Sequence, residues 1–306
     1  MSEVPVPDVT QDYLAFRREV GAVWLPRDFL SVRGPDAVAF LQGQLSQDID
    51  MALGGSTWAL LLQPQGKMVA FLRVLREAED GFVLETDAGF GPQMVDRLTR
   101  FKLRVKCDVE PRAWRCLAVR GPQAHALVDA GSGPPAGAAV VLADWPGLPG
   151  ADLVGESPTP PPGVRLCSLD AYESVRIEAG IPVMGRELNE STIPAEAGIV
   201  DQSVSFTKGC YTGQELVARI DSRGGNVPRR LRGIVLGTNV LPPSGAAVTV
   251  DGKDVGRVTS VGESLDRRAP VALGYVRRSV APPAEVTVAW EGGSAPATVE
   301  TLPLVS

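Results

Sequence analysis

Residues 208–215, Lys208-Gly209-Cys210-Tyr211-Thr212-Gly213-Gln214-Glu215, bring an ammonium, a thiol, a phenol and two glycines into one short stretch. Glycine permits backbone conformations closed to residues with a Cβ and lets a ligand approach the chain, so Gly209 and Gly213 predict a shaped loop. The apolar spacing that follows, Leu216, Val217 and Ile220, predicts a helix with Glu215 in its first turn. A thiol beside a helix N-terminus and a lysine has its thiolate favoured where the side chains converge, which makes Cys210 a candidate nucleophile or redox group. The same spacing also suits a Gly-rich turn around a small buried thiol. Glu178, a carboxylate in the last turn of an expected helix where the macrodipole is unfavourable to an anion, reads on its own as an exposed helix-end residue, though the cost invites a ligand explanation.

The elements that must position these groups can be read from periodicity. Ser168 is placed to cap a helix through Glu178 carrying Tyr172, Val175 and Ala179 on one side, and Gly180 and Pro182 end it. Upstream, Thr10 is placed to cap a short helix with Tyr13, Leu14 and Phe16, and Val23–Leu25 and Phe29–Val32 read as strands. Asp36 to Leu45 has a helical stripe of Ala37, Phe40, Leu41 and Leu45, with a polar exit of Gln42, Gln44, Gln47 and Asp48 that suits either solvent or a ligand wall. Trp58–Gln63 and Met68–Leu75 form a hairpin through Pro64-Gln65-Gly66-Lys67, Phe82–Thr86 another strand, and Phe90–Phe101 a helix. In Lys102-Leu103-Arg104-Val105-Lys106 the alternation predicts a strand with three basic side chains on one face, a solvated face or a wall for an anionic ligand. A strand over Ala113–Val119 and a short helix after Pro122 follow.

Residues 130–163, dense in Gly, Pro and Ala, read as a linker or a long irregular crossing. Asn189 to Gln202 reads as a loop returning the octet over the first domain. Arg219, Arg223, Arg229, Arg230 and Arg232 make a basic cluster suited to packing, to an anionic tail or to an acidic partner. Beyond it the pattern is all-β, with strands over 231–236, 247–250, 253–261, 271–276, 285–290 and 297–302 and a tight hairpin at Asp251-Gly252. The expected class is α+β and multidomain: residues 1–129 an N-terminal α+β domain, 130–163 the crossing, 164–227 a second α+β portion with the loop 208–215, and 228–306 a six-stranded β-barrel.

Composition narrows the chemistry. Cys107, Cys116, Cys167 and Cys210 are scattered without close ligand spacing, so neither a disulfide framework nor a local metal site is expected. The single histidine, His125, sits in an ordinary amphipathic turn and is read as structural. A net charge of −6 argues against a broad nucleic-acid surface. No run approaches the roughly 20 apolar residues of a membrane span, and the N-terminus lacks the basic and apolar regions of a signal peptide, so a soluble cytoplasmic monomer is the expectation.

The octet resembles the signature of YgfZ-type folate-binding proteins, relatives of the T-protein (aminomethyltransferase) of the glycine cleavage system. Further islands keep the family's order: Gly34-Pro35-Asp36-Ala37 with Phe40-Leu41-Gln42-Gly43-Gln44, then Arg176-Ile177-Glu178-Ala179-Gly180-Ile181-Pro182, and Gly274-Tyr275-Val276. The resemblance implies a T-protein-like folate-binding fold and tetrahydrofolate or a one-carbon derivative as cofactor. It also implies a role in assembling or repairing iron–sulfur clusters of client enzymes, tRNA-modifying enzymes among them. It implies Glu178 as the pterin-reading carboxylate, accepting parallel N–H bonds from the amino-pyrimidinone edge. It adds Lys208, Tyr211, Gln214 and Glu215 as folate contacts, and Cys210 with Lys208 as the chemically active pair. One departure stands out. Where T-proteins carry a catalytic aspartate in a Gly-Gly-Ile-(Ile/Leu)-Asp-Asp-like stretch, this chain aligned by its leading glycine offers Gly66-Lys67-Met68-Val69-Ala70-Phe71, and Ala70 has no carboxylate to accept a proton. Aminomethyltransferase activity and a folate-dependent scaffold without chemistry of its own remain the alternatives.

Overall fold

The computed structural model describes residues 8–130, 138–222 and 226–306. The chain opens with α1 (Val9–Arg18), β1 (Gly21–Leu25), β2 (Arg27–Arg33) and α2 (Ala37–Gln44). Then come β3 (Ser56–Leu62), β4 (Met68–Ala78), β5 (Gly81–Asp87), α3 (Gly91–Phe101), β6 (Asp108–Arg112), β7 (Arg115–Arg120) and α4 (Ala124–Ala130). The middle holds β8 (Ala138–Leu142), β9 (Gly150–Gly155), β10 (Arg165–Leu166) and α5 (Leu169–Ala179), followed by α6 (Pro194–Ala197), α7 (Val200–Ser203) and α8 (Gln214–Ser222). The last strands are β11 (Arg229–Leu236), β12 (Ala247–Val250), β13 (Lys253–Ser264), β14 (Ala269–Arg277), β15 (Ala284–Trp290) and β16 (Gly293–Glu300). None of the described helices is long and apolar enough to cross a membrane.

The chain divides into two compact units. One comprises residues 1–25, 116–181 and 231–306, the other 26–115 and 182–230. In the first unit a five-stranded sheet runs β10-β1-β7-β9-β8, with Ala22, Leu117, Val119, Ala124 and Leu153 in its core. The same unit contains a closed barrel, β11-β14-β13-β12-β15-β16, filled by Ile234, Val248, Ala272, Val288 and Val299. The expected six strands are all present, and closing them leaves no unpaired edge. Helix α5 packs against α1 and against β13 and β14 of the barrel.

The second unit is built on an antiparallel sheet, β3-β4-β5-β2-β6. Leu30, Val32, Ala59, Leu61, Ala70, Leu72, Val74 and Leu84 line the core on one of its faces, while β3 and β4, largely apolar runs, are buried on both faces over residues 59–62 and 68–75. Leu41 and Leu45 from α2 and Met94 and Leu98 from α3 complete that core.

Two expectations fail. Lys102–Lys106 is not a strand: Lys102 closes α3, Arg104 adopts φ 60°, and Leu103 is 82% exposed. Alternation specifies a strand only where a whole face is buried, and here Val105 alone packs against the core while Leu103 faces solvent. Residues 138–142 and 150–155 are strands rather than linker, and β9 is buried throughout. Its glycine is a packing requirement: a Cβ on Gly150 would lie 2.3 Å from the Val119 carbonyl of β7. Smaller differences occur at α1, whose cap is Asp8 rather than Thr10, and at 194–203, where two short helices replace the expected loop.

Helix α5, which carries Glu178, ends as its sequence predicts. Ser168 accepts a hydrogen bond from Ala171 N–H at its start, and Gly180 adopts φ 77° at its end. A Cβ on Gly180 would lie 2.9 Å from Leu302 Cβ. Gly180→Ala is therefore expected to lower the unfolding free energy by about 1–2 kcal/mol from the left-handed backbone alone, read as a reduced urea midpoint.

Candidate functional site

The octet lies in the second unit, and its shape is set by the end of α2. A helix leaves its last carbonyls without intrahelical partners, and α2 has neither a basic residue in its last turn nor a glycine cap. The octet supplies what is missing. Lys208 Nζ donates to Gln42 O (2.8 Å), Leu45 O (2.9 Å), Gln47 O (2.9 Å) and Gln42 Oε1 (3.1 Å). Thr212 N donates to Gly43 O at 3.0 Å, and outside the octet and the helix Ser205 N donates to Ser46 O at 3.0 Å. Beneath them Ser46 Oγ donates to Ser203 O (2.6 Å) and accepts from Leu60 N (2.7 Å).

The far side of the octet is fixed by contact with the β3–β4 hairpin. Gly213 adopts φ 84°, and a Cβ there would lie 2.6 Å from Gln63 O; a Cβ on Gly66 would meet Leu216 Cβ at 2.6 Å. Gln214 begins α8 and its Oε1 accepts from Tyr211 N at 3.2 Å, while Glu215 lies exposed in the first turn. The Lys208 ammonium sits 5.6 Å from the centre of the half-buried Tyr211 ring. Burial pushes the Tyr211 phenol up to about 12. Burial also pushes Lys208 down to about 8, opposed by the Asp48 carboxylate, so the group is an ammonium at neutral pH.

Gly209 and Cys210 form the exposed crest of this loop. Gly209 differs from Gly213: its φ is not left-handed, and a Cβ there would meet nothing within 4 Å. Cys107, Cys116 and Cys167 are buried whereas Cys210 is exposed, which excludes the reading of Cys210 as a packed core thiol. Burial pushes the Cys167 thiol up to about 12 and raises that of Cys107, the signature of inert cysteines. Lys208 spends its donors on carbonyl oxygens, so the expected lysine–thiol partnership is one of shared loop and not of a hydrogen bond.

Glu178 lies in the first unit, fully buried. Its Oε1 accepts from Tyr13 Oη (2.6 Å), and its Oε2 accepts from Arg17 Nε (2.7 Å) and Arg17 Nη2. Tyr13 and Arg17 are four residues apart on α1 and so share one face. Arg17 also donates to Gly147 O (2.7 Å), Tyr13 Oη accepts from Asp266 N (3.2 Å), and Leu304 N donates to Glu178 O (2.6 Å). The electrostatic cost of an anion at the end of α5 is thus offset within the unit by a guanidinium.

Of the other candidates, Arg229 pairs with buried Glu196 (3.0 Å), and Arg223 lies outside the described residues. His125 pairs with Asp144 (2.7 Å), which also accepts from Gly150 N, a structural role. Sequence reasoning missed Tyr13 and Arg17, although their spacing marks one helical face, and it missed the carbonyls of Gln42, Leu45 and Gln47, for which no residue type could signal.

Residues 8–134 match the GCVT N-terminal domain and residues 229–306 the Glycine cleavage T-protein C-terminal barrel domain. Over 269 residues the chain is 33% identical to the Iron-sulfur cluster assembly factor IBA57, mitochondrial, of Homo sapiens, spanning 78% of this chain and 74% of that one. The chain belongs to the T-protein-like family. Within it, the chain is also 28% identical over 330 residues to an Aminomethyltransferase of Streptomyces avermitilis, spanning 95% and 88% of the two. The glycine cleavage system aminomethyltransferase T from Bartonella henselae, at 24% identity, shares the fold with a TM-score of 0.83 over 97% of this chain and 89% of that one.

In this T-protein-like chain Ala70 is fully buried among the apolar residues of the second unit's core. The alanine side chain offers no proton acceptor, and none of its surface is exposed.

The Tyr13–Glu178 hydrogen bond has a titration consequence. Burial first, then the Glu178 hydrogen bond and charge, push the Tyr13 phenol up to about 12. The unfolded chain releases that proton near pH 10, so above about pH 10 the folded state holds more protons and stability falls as pH rises toward 12. Urea unfolding from pH 9 upward is expected to show this loss in the wild type and a smaller slope in Tyr13→Phe.

Proposed function

We propose that the protein is a folate-linked factor that supports assembly or repair of iron–sulfur clusters in client enzymes, and that Cys210 is the group it presents to them. The observation that carries this reading is that Cys210 alone among the four cysteines is exposed, on a loop held rigid from both sides. Exposure and a fixed backbone are what a thiol needs to meet a cluster or cysteine on another protein. The likeness to the human protein named as an iron–sulfur cluster assembly factor supports the choice of client.

Aminomethyltransferase activity is the second reading, favoured by relatives of that name that span nearly the whole chain. It needs a proton-accepting side chain where this chain has buried Ala70, which weighs for the first reading.

Tetrahydrofolate or a one-carbon derivative enters through the family. Glu178 has the chemistry of a pterin-reading carboxylate, but both its oxygens are taken and none of its surface is exposed. The occupancy therefore does not fit a pterin unless an internal partner gives way, and Lys208 has no donor to spare. Tyr211, Gln214 and Glu215, at the start of α8, remain candidates for contact with the bound folate.

In cells whose own copy is replaced by Cys210→Ala, iron–sulfur enzyme activities are expected to fall while the variant accumulates normally. Unchanged activities would leave the client-facing thiol without support and favour a scaffold. For the cofactor, tetrahydrofolate titration is expected to weaken in Glu178→Gln and to hold or tighten in Tyr13→Phe, which frees a lone pair on Oε1. Equal affinity in all three proteins would take Glu178 out of the folate site.

A further inference from the structure

The environment of the Lys208 ammonium is unusual for a lysine assigned to chemistry. Four oxygens lie 2.8 to 3.1 Å from Nζ, one more than an ammonium has protons. Three are main-chain carbonyls, of Gln42 in the last turn of α2, of Leu45 at its cap and of Gln47 just beyond it, near the end where the helix dipole is negative. Asp48 adds a full charge nearby.

The side chains around the three carbonyls, and the fourth oxygen, Gln42 Oε1, are held by bonds that do not involve the lysine. Gln42 Nε2 donates to Asp48 Oδ1 (2.6 Å) and Gln42 Oε1 accepts from Ile49 N (3.2 Å). Gln47 Oε1 accepts from Asp48 N (3.0 Å), and its Nε2 donates to Gln202 O (3.3 Å). Between them Ser46, fully buried, is tied to Ser203 and Leu60. Carbonyl oxygens fixed around a point are the means by which proteins replace the hydration shell of potassium, and ammonium and potassium are nearly equal in size.

We propose that this oxygen cage is a monovalent-cation site which the chain fills with its own Lys208 ammonium, and that it takes a free potassium or ammonium ion when that side chain is removed. Lys208 is then a positioning residue, a tethered cation that fixes the crest carrying Gly209 and Cys210. The inference stands apart from the iron–sulfur reading, since it concerns the cage whatever Cys210 meets. Sodium and lithium are poorer occupants, because shorter contacts would require Leu45 and Gln47 to move against the bonds that hold Ser46 and the two glutamines.

The test is thermal melting of Lys208→Ala in chlorides of potassium, ammonium, sodium and lithium at equal ionic strength, with iodoacetamide labelling of Cys210 followed in the same salts. The expected result is a saturable rise in Tm, about 2 °C or more, in potassium and ammonium relative to sodium and lithium, with labelling returned toward the wild-type rate. The wild type should melt alike in all four. Identical melting and labelling of the variant across the salts overturns the proposal, as does failure of the variant to fold even in potassium or ammonium. A measurement needing no variant guards the result: in the wild type near pH 7 the Lys208 ammonium should give a slowly exchanging nitrogen–proton NMR signal, and a Lys208 ammonium exchanging as fast as solvent-exposed lysines would equally sink it.

Discussion

The end of α2 imposes the constraint on which the exposed loop depends. Its terminal carbonyls converge with no local donor to meet them, and each buried carbonyl left unpaired costs about 1–3 kcal/mol. The donor arrives from 166 positions away in the sequence, in Lys208, with the Thr212 N–H beside it. Because those bonds satisfy the helix, the loop cannot relax without exposing the helix end. Gly213 and Gly66 close the other side, where backbone and side chains approach too closely for a Cβ. What is left over is a two-residue crest, Gly209 and Cys210, held in place by contacts that neither residue makes.

The Glu178 cluster follows the same logic in the other unit. A buried carboxylate at a helix C-terminus is unfavourable in isolation; a two-pronged guanidinium contact and a phenol hydrogen bond make it tolerable. Breaking such a pair leaves an uncompensated buried charge, a loss of about 3–5 kcal/mol. The cluster also ties α1, α5, the 144–149 turn and the chain after the barrel to one another. Two residues whose types invite a chemical reading, Lys208 and Glu178, are therefore occupied with holding structure. Cys210 carries no such duty, and that contrast is what singles it out.

Much of the architecture was legible because its signals are local. Apolar runs bounded by turn residues mark β3, β4 and β5, Ser168 and Gly180 bound α5, and Asp251-Gly252 marks a barrel hairpin. Failures came where meaning depends on distant partners. In Lys102–Lys106 Val105 reaches the core while Leu103 is exposed, so no whole face is buried, and β9 reads as linker because Gly150 serves close approach to β7. The loop 208–215 and the island Phe40–Gln44 were both visible as motifs. That they are one structure, a helix end and its cap, was not, because main-chain carbonyls have no residue type. Arg17 is hidden for a related reason: beside Arg18 in the last turn of a short helix it looks solvated until its carboxylate is found.

The features that hold the fold leave the position of Ala70 without electrostatic duty. Neither the α2 cap, the Glu178 cluster nor the barrel interior uses the position where the family's catalytic aspartate is expected. Ala70 belongs instead to an apolar face shared with Leu61, Leu72 and Leu84, where an alanine packs at no electrostatic cost and a lone carboxylate would be strongly disfavoured. An enzyme of this architecture that gave up that carboxylate would give up proton transfer and keep its stability. The exposed loop, being set by contacts remote from Ala70, would keep its conformation as well.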